Sequence, residues 1–175
     1  MTGFGDKEQV NNKRAHERIF PVPFSSGEIK YNINITTKSS SENSKNNLIN
    51  KAFEFHGIGN LIEAEKYYKY FINKGFNDSR VFSNYGAILK QNGKLKEAEL
   101  LLRKAIQLNP NYSEAHSNLG NILRELGYLK EAEISLRKAI EISPEFAVAY
   151  YNLGNILKDL GHLKEAAILL RKAID

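Results

Sequence analysis

Four glycines, Gly59, Gly93, Gly127 and Gly161, stand 34 residues apart. Ala64, Ala98, Ala132 and Ala166 keep the same interval, as do Pro110 and Pro144. The string NLGNIL occurs at 118–123 and again at 152–157. A fixed period of this length constrains the fold more than any local propensity does. Each period is one small structural unit, and such units bury their apolar faces only by stacking on one another.

Within a unit the apolar spacing is helical. In the third unit Leu119, Ile122, Leu123 and Leu126 recur at i, i+3, i+4 and i+7, the signature of one buried helix face. Gly127 is placed to stop that helix. A second stretch puts Leu129, Ala132, Leu136, Ala139 and Ile140 on one face. Pro144 marks the boundary to the next unit. Each unit therefore reads as a helix pair. Gly120 and Ala132 are expected where the paired helices come closest, so a larger side chain at Ala132 overpacks that contact. Glu97 and Glu131, beside Lys96 and Lys130, read as solvated turns with no assigned role.

The period begins near residue 45. Residues 1–44 are rich in Asn, Ser, Thr and Lys and hold too little apolar surface to offset the entropy of ordering. They read as a disordered polar arm. FPVPFSS at 20–26 favours extended backbone, and YNINIT at 31–36 alternates at strand period, with no partner strand elsewhere. The repeats are set at about 45–78, 79–112, 113–146 and 147–175, the last incomplete.

The residues that carry the period resemble the tetratricopeptide repeat (TPR) family. In the second unit the matches are Phe82, Tyr85-Gly86, Ala98, Leu102, Ala105 and Pro110. In the third they are His116, Leu119-Gly120, Ala132, Leu136, Ala139 and Pro144, and in the fourth Tyr150, Leu153-Gly154, Ala166, Leu170 and Ala173. The first unit keeps Gly59 and Ala64 but has Ala52 for the glycine, Phe71 for the second alanine, and no proline. The resemblance implies an all-α, right-handed superhelix, or α-solenoid, of about four helix pairs. It also implies that first helices line the concave face and that a peptide or partner protein is bound there.

Projection of the first helices shows what that face would present. The sixth position of each unit reads Asn50, Asn84, Asn118 and Asn152; the ninth reads Phe53, Ala87, Asn121 and Asn155; the twelfth reads His56, Lys90, Arg124 and Lys158. A carboxamide offers one acceptor oxygen and two donor hydrogens, so a column of them can pair with the C=O and N–H of an extended peptide with little regard for its sequence. The column is similar to the asparagine ladder in the TPR superhelix of O-linked N-acetylglucosamine transferases. Lys90, Arg124 and Lys158 beside it suggest a preference for acidic partners. Duplication of neighbouring units is the competing account of the repeated asparagines. The fifth position reads Ile49, Ser83, Ser117 and Tyr151, which lacks the lysine of repeats that clamp a C-terminal carboxylate.

Other chemistry is not expected. The chain has no cysteine, which excludes disulfides and cysteine-ligated zinc. His16, His56, His116 and His162 show no metal-ligand spacing, and His116 reads as a core histidine standing in for a packing aromatic. The net charge of +5 is interleaved with Glu along the chain, unlike the clustered charge of a nucleic-acid binder. No apolar run is long enough to span a membrane, and no secretory leader is read at 1–14. The expectation is a cytoplasmic, bacterial-type interaction module without catalysis, metal or cofactor. Alternatives are the substrate-recruiting N-terminal part of a glycosyl- or sulfotransferase, or a scaffold that self-associates through Leu163, Leu170 and Ile174 of an uncapped last repeat.

Overall fold

The computed structural model describes residues 41–174. They form eight helices and no strand. These are α1 (Ser41–Gly57), α2 (Leu61–Asn73), α3 (Ser79–Gln91), α4 (Leu95–Leu108), α5 (Ser113–Glu125), α6 (Leu129–Ile142), α7 (Ala147–Asp159) and α8 (Leu163–Lys172). The helices pair as α1/α2, α3/α4, α5/α6 and α7/α8, and each pair packs on the next. FPVPFSS, YNINIT and most of the polar arm lie outside the described residues. The arm was expected to run to residue 44, but α1 already begins at Ser41.

The turn inside each pair follows from one glycine. Gly127 has φ +84°, a left-handed conformation that costs a residue without Cβ little. Its N–H bonds the Arg124 carbonyl at 3.0 Å, and the Tyr128 N–H bonds the Leu123 carbonyl at 2.8 Å. That bond pair is a Schellman cap, which satisfies the last carbonyls of α5. Gly59, Gly93 and Gly161 make the same two-bond turn. The first unit, which lacks the proline, ends α2 with Gly75 at φ +76° instead.

Second helices begin with an acid in their first turn: Glu63, Glu97, Glu131 and Glu165. Each stands where the helix dipole favours negative charge. Glu97 and Glu131 are therefore more than the solvated turn residues expected above. None of α4, α6 or α8 has a side-chain N-cap, so Glu97, Glu131 and Glu165 do part of the work a cap would do.

The core forms along the seam of each pair. Ala98, Leu102 and Ala105 of α4 are fully buried, as are Ala132, Leu136 and Ala139 of α6. Gly120 lies against α6: a Cβ built there would stand 2.6 Å from Leu136 Cγ and 3.2 Å from the Ala132 carbonyl oxygen. Gly86 and Gly154 hold the matching places against Leu102 and Leu170. In the diverged first unit, Ala52, Tyr68 and Phe71 take the equivalent positions and are fully buried.

Candidate functional site

The first helices form one wall of the stack. α5 touches both α3 and α7, whereas no two second helices make a comparable contact among the described residues. First helices are thus drawn together and second helices spread apart. On these helices the sixth-, ninth- and twelfth-position side chains are half-buried or exposed.

The sixth-position asparagines differ in their surroundings. Asn50 is exposed; Asn84, Asn118 and Asn152 are half-buried. The side chains of Asn50, Asn118 and the ninth-position Asn121 make no hydrogen bond among the described residues. The Nδ2 of Asn152 is covered and has no partner, and an amide left unpaired in this way costs free energy. Asn155 donates to the Tyr151 carbonyl one turn back, at 3.1 Å. Asn84 lies by the Tyr68 phenol. Burial pushes that phenol up to about 12, against the lowering influence of the Asn84 amide.

The first unit adds an aromatic end to the wall. Phe53, at the ninth position, meets Tyr68 at 6.2 Å between ring centres and carries the Arg80 guanidinium 5.3 Å above its face. His56 Nδ1 lies 2.9 Å from the Tyr68 hydroxyl, and burial lowers its pKa. Asp78 caps α3 through the Arg80 N–H at 2.9 Å. Burial alone would raise its carboxyl, but the Arg80 bonds outweigh it and hold the group below the usual range.

The basic column differs from its expected form. Lys90 pairs with Glu125 at 2.9 Å, and Arg124 with Asp159 at 2.7 Å. In each case the acid ends the next unit's first helix. Projection of single helices could not show this, because the pair crosses between units. Lys158 alone of the three makes no ion pair among the described residues, so within this column the unpaired cation is in the fourth unit.

Three other polar side chains belong to the packing. His116 Nε2 donates to the Pro110 carbonyl at 2.9 Å, which satisfies the ring as a structural histidine. Ser83 and Ser117, at the fifth position, are buried to 1% and 2% exposure. Among the described residues no cluster of three or more His, Asp or Glu could hold a metal ion. No described helix is long and apolar enough to cross a membrane.

Four helix pairs stacked in series, three of them on a glycine–alanine seam, define a helical-repeat solenoid. More narrowly, the family profile described as TPR repeat matches residues 86–127 and again 120–161, so this middle stretch of the chain is similar to tetratricopeptide repeats. Solved structures agree. A crystal structure of MamA superposes with a TM-score of 0.68 at 25% identity, covering 77% of this chain and 78% of that one. YrrB, described as a TPR protein with an unusual peptide-binding site, gives 0.66 at 25% identity over 77% and 70%. An O-GlcNAc transferase mutant from Thermobaculum terrenum gives 0.63 at 25% identity, over 69% of this chain and 23% of that one. No curated protein sequence matches the chain.

Proposed function

We propose that the chain is a protein-interaction module that holds an extended polypeptide along α1, α3, α5 and α7. The amides of Asn50, Asn84, Asn118 and Asn152 pair with the ligand backbone, and Asn121 and Asn155 flank them. The observation that carries the reading is that the half-buried side chains of Asn118 and Asn121 make no hydrogen bond within the described protein and so remain available to a ligand. The peptide-binding site described for YrrB supports the same use of the fold. Since Lys90 and Arg124 are paired, selection for acidic side chains is weaker than a bare basic column would give, and it falls mainly at Lys158.

The test is selection from a displayed library of random unstructured peptides, followed by affinity measurement on Asn118→Ala/Asn121→Ala. Each lost hydrogen bond weakens binding by about 0.5–1.5 kcal/mol, together roughly 5- to 150-fold, with unfolding unchanged. Equal affinity in the double variant would remove the amide reading.

A second reading is favoured by the likeness to the O-GlcNAc transferase, of which this chain spans 23%. On it, the array is the substrate-recruiting part of a larger transferase. The mass of the native protein in its source cells, measured with an antibody against residues 1–40, decides between them. A mass near 19.9 kDa would count against the transferase reading, and a much larger mass would support it.

A further inference from the structure

The outer side of the second helices carries a regular mixture of apolar and basic side chains. Leu100 on α4, Ile134 on α6 and Ile168 on α8 stand one period apart and are 69%, 69% and 67% exposed. Leu100 and Ile134 are this open although a further unit packs beyond each of them, so the exposure belongs to the face itself. A lysine stands one turn before and one turn after each apolar residue: Lys96 and Lys104, Lys130 and Lys138, Lys164 and Lys172. At that spacing the three side chains of each helix share one face.

In the diverged first unit the same positions hold Ile62, Lys66 and Tyr70. The order differs, yet an isoleucine 73% exposed and an exposed lysine remain, which the copying of one unit into the next does not explain. Positive charge prevails on this side. Together α4, α6 and α8 carry nine Lys and Arg against six Glu. Lys104 and Lys164 make no ion pair among the described residues. Lys96 lies 3.5 Å from Glu99 and Lys130 3.8 Å from Glu133, both loose pairs, whereas Lys138 meets Glu141 at 2.6 Å. The Lys172 ammonium rests 4.5 Å over the Tyr150 ring.

Two occupants suit apolar points set among positive charge: an acidic protein and an anionic bilayer. The side chains favour the bilayer. Protein interfaces are depleted of lysine and draw on arginine and aromatic residues, whereas every flanking position in the last three units is lysine. Leu100 has no apolar neighbour on its own face, since Lys96, Glu97, Arg103 and Lys104 surround it, and the same residue types surround Ile134. A partner helix therefore finds no continuous apolar stripe to pack on. A lipid surface needs none. Each aliphatic tip enters the acyl boundary singly, while lysine stems lie along it and leave their ammonium groups at the headgroups. Contact of this kind requires no spanning helix.

We infer that the outer face of α4, α6 and α8 is a docking surface for a bilayer that bears anionic headgroups. Leu100, Ile134 and Ile168 enter the acyl boundary, and the flanking lysines meet the headgroup anions. The inference rests on the second helices alone and stands apart from the peptide wall on the first helices.

The chain has no tryptophan, so Ile134→Trp places a single fluorescent reporter on this face. The probes are vesicles of phosphatidylserine and phosphatidylcholine in equal parts, and vesicles of phosphatidylcholine alone. With the first, the Ile134→Trp emission should move to shorter wavelength and be quenched by brominated acyl chains. With the second it should not change. The original chain should sediment with the anionic vesicles and release as salt rises. Leu100→Ser/Ile134→Ser should lower the partition constant by about tenfold or more, and so should Lys104→Gln/Lys130→Gln, again about tenfold. Circular dichroism checks that the variants keep their fold, as expected for side chains this exposed. No sedimentation with anionic vesicles at low salt, emission that does not move, or a partition constant indifferent to Leu100→Ser/Ile134→Ser overturns the inference. A helical peptide of glutamate and leucine that moves the Ile134→Trp emission where vesicles do not would overturn it as well, and would assign the face to an acidic protein.

Discussion

Gly86, Gly120 and Gly154 occupy the same register, yet replacing each by alanine should not have the same effect. In a helix interior, alanine gains about 0.8–1 kcal/mol over glycine. At Gly120 the new Cβ would meet Leu136 Cγ at 2.6 Å and Cδ1 at 3.1 Å, well inside the ~3.5–4.0 Å of optimal carbon contact. Leu136 is fully buried, and the clashing Cγ is the branch point of the side chain, so relief requires α5 and α6 to part. Overpacking of this kind costs about 1–3 kcal/mol, leaving a net loss near 1 kcal/mol. At Gly86 the nearest atom is Leu102 Cγ at 3.1 Å, and a shift of a few tenths of an ångström removes the conflict. The net effect there is near zero or slightly stabilising. Gly154 meets Leu170 at 2.7 Å, but Leu170 is only half-buried and can yield, which gives an intermediate value. Urea denaturation followed by far-UV circular dichroism reads the order directly. For a domain of this size 1 kcal/mol moves the melting midpoint by about 3–5 °C. If Gly120→Ala proves as stable as Gly86→Ala or more so, the close-approach account of the seam is wrong.

Ala132→Val should cost about 1–3 kcal/mol for the same reason, because Ala132 is fully buried at the α5/α6 seam; denaturant midpoints check this. A double-mutant cycle on Arg137 and Glu165 should give no more than about 1 kcal/mol and shrink in high salt, since both side chains are nearly half exposed. The Tyr68 phenol, pushed up to about 12 by burial, keeps its proton in the folded state where the unfolded chain, at about 10, has lost it. Its contribution to stability is therefore whole below about pH 10 and is lost as pH rises towards 12. Tyr68→Phe should flatten the stability profile in that window, and an unchanged profile would assign the loss to other groups.

The repeat, the helix pairing and the seam were legible in the sequence because each is a local pattern copied every 34 residues. Gly127 as a helix stop and Gly120 at the close approach both followed from spacing and side-chain size. What escaped the sequence reading lies between units. The pairing of Lys90 with Glu125 joins residues 35 apart, and no single-helix projection brings them together. Its trace was present all the same: Glu125 and Asp159 stand one period apart, each just after a twelfth-position cation. The burial of Ser83 and Ser117 was missed because small serines look like surface residues in a sequence. Gly75 was overlooked as the end of α2, since the first unit has no proline to mark the boundary.

The central claim is that polypeptide is held on the first helices through their amides. Side-chain NH₂ signals of asparagine are resolved in nitrogen-edited NMR spectra, so a selected peptide can be titrated into the labelled chain and the amides watched one by one. The account predicts shifts at Asn84, Asn118, Asn121 and Asn152 and along the backbone of α3, α5 and α7, with α4 and α6 little changed. Shifts confined to α2, α4, α6 and α8, with the asparagine side chains silent, would contradict it.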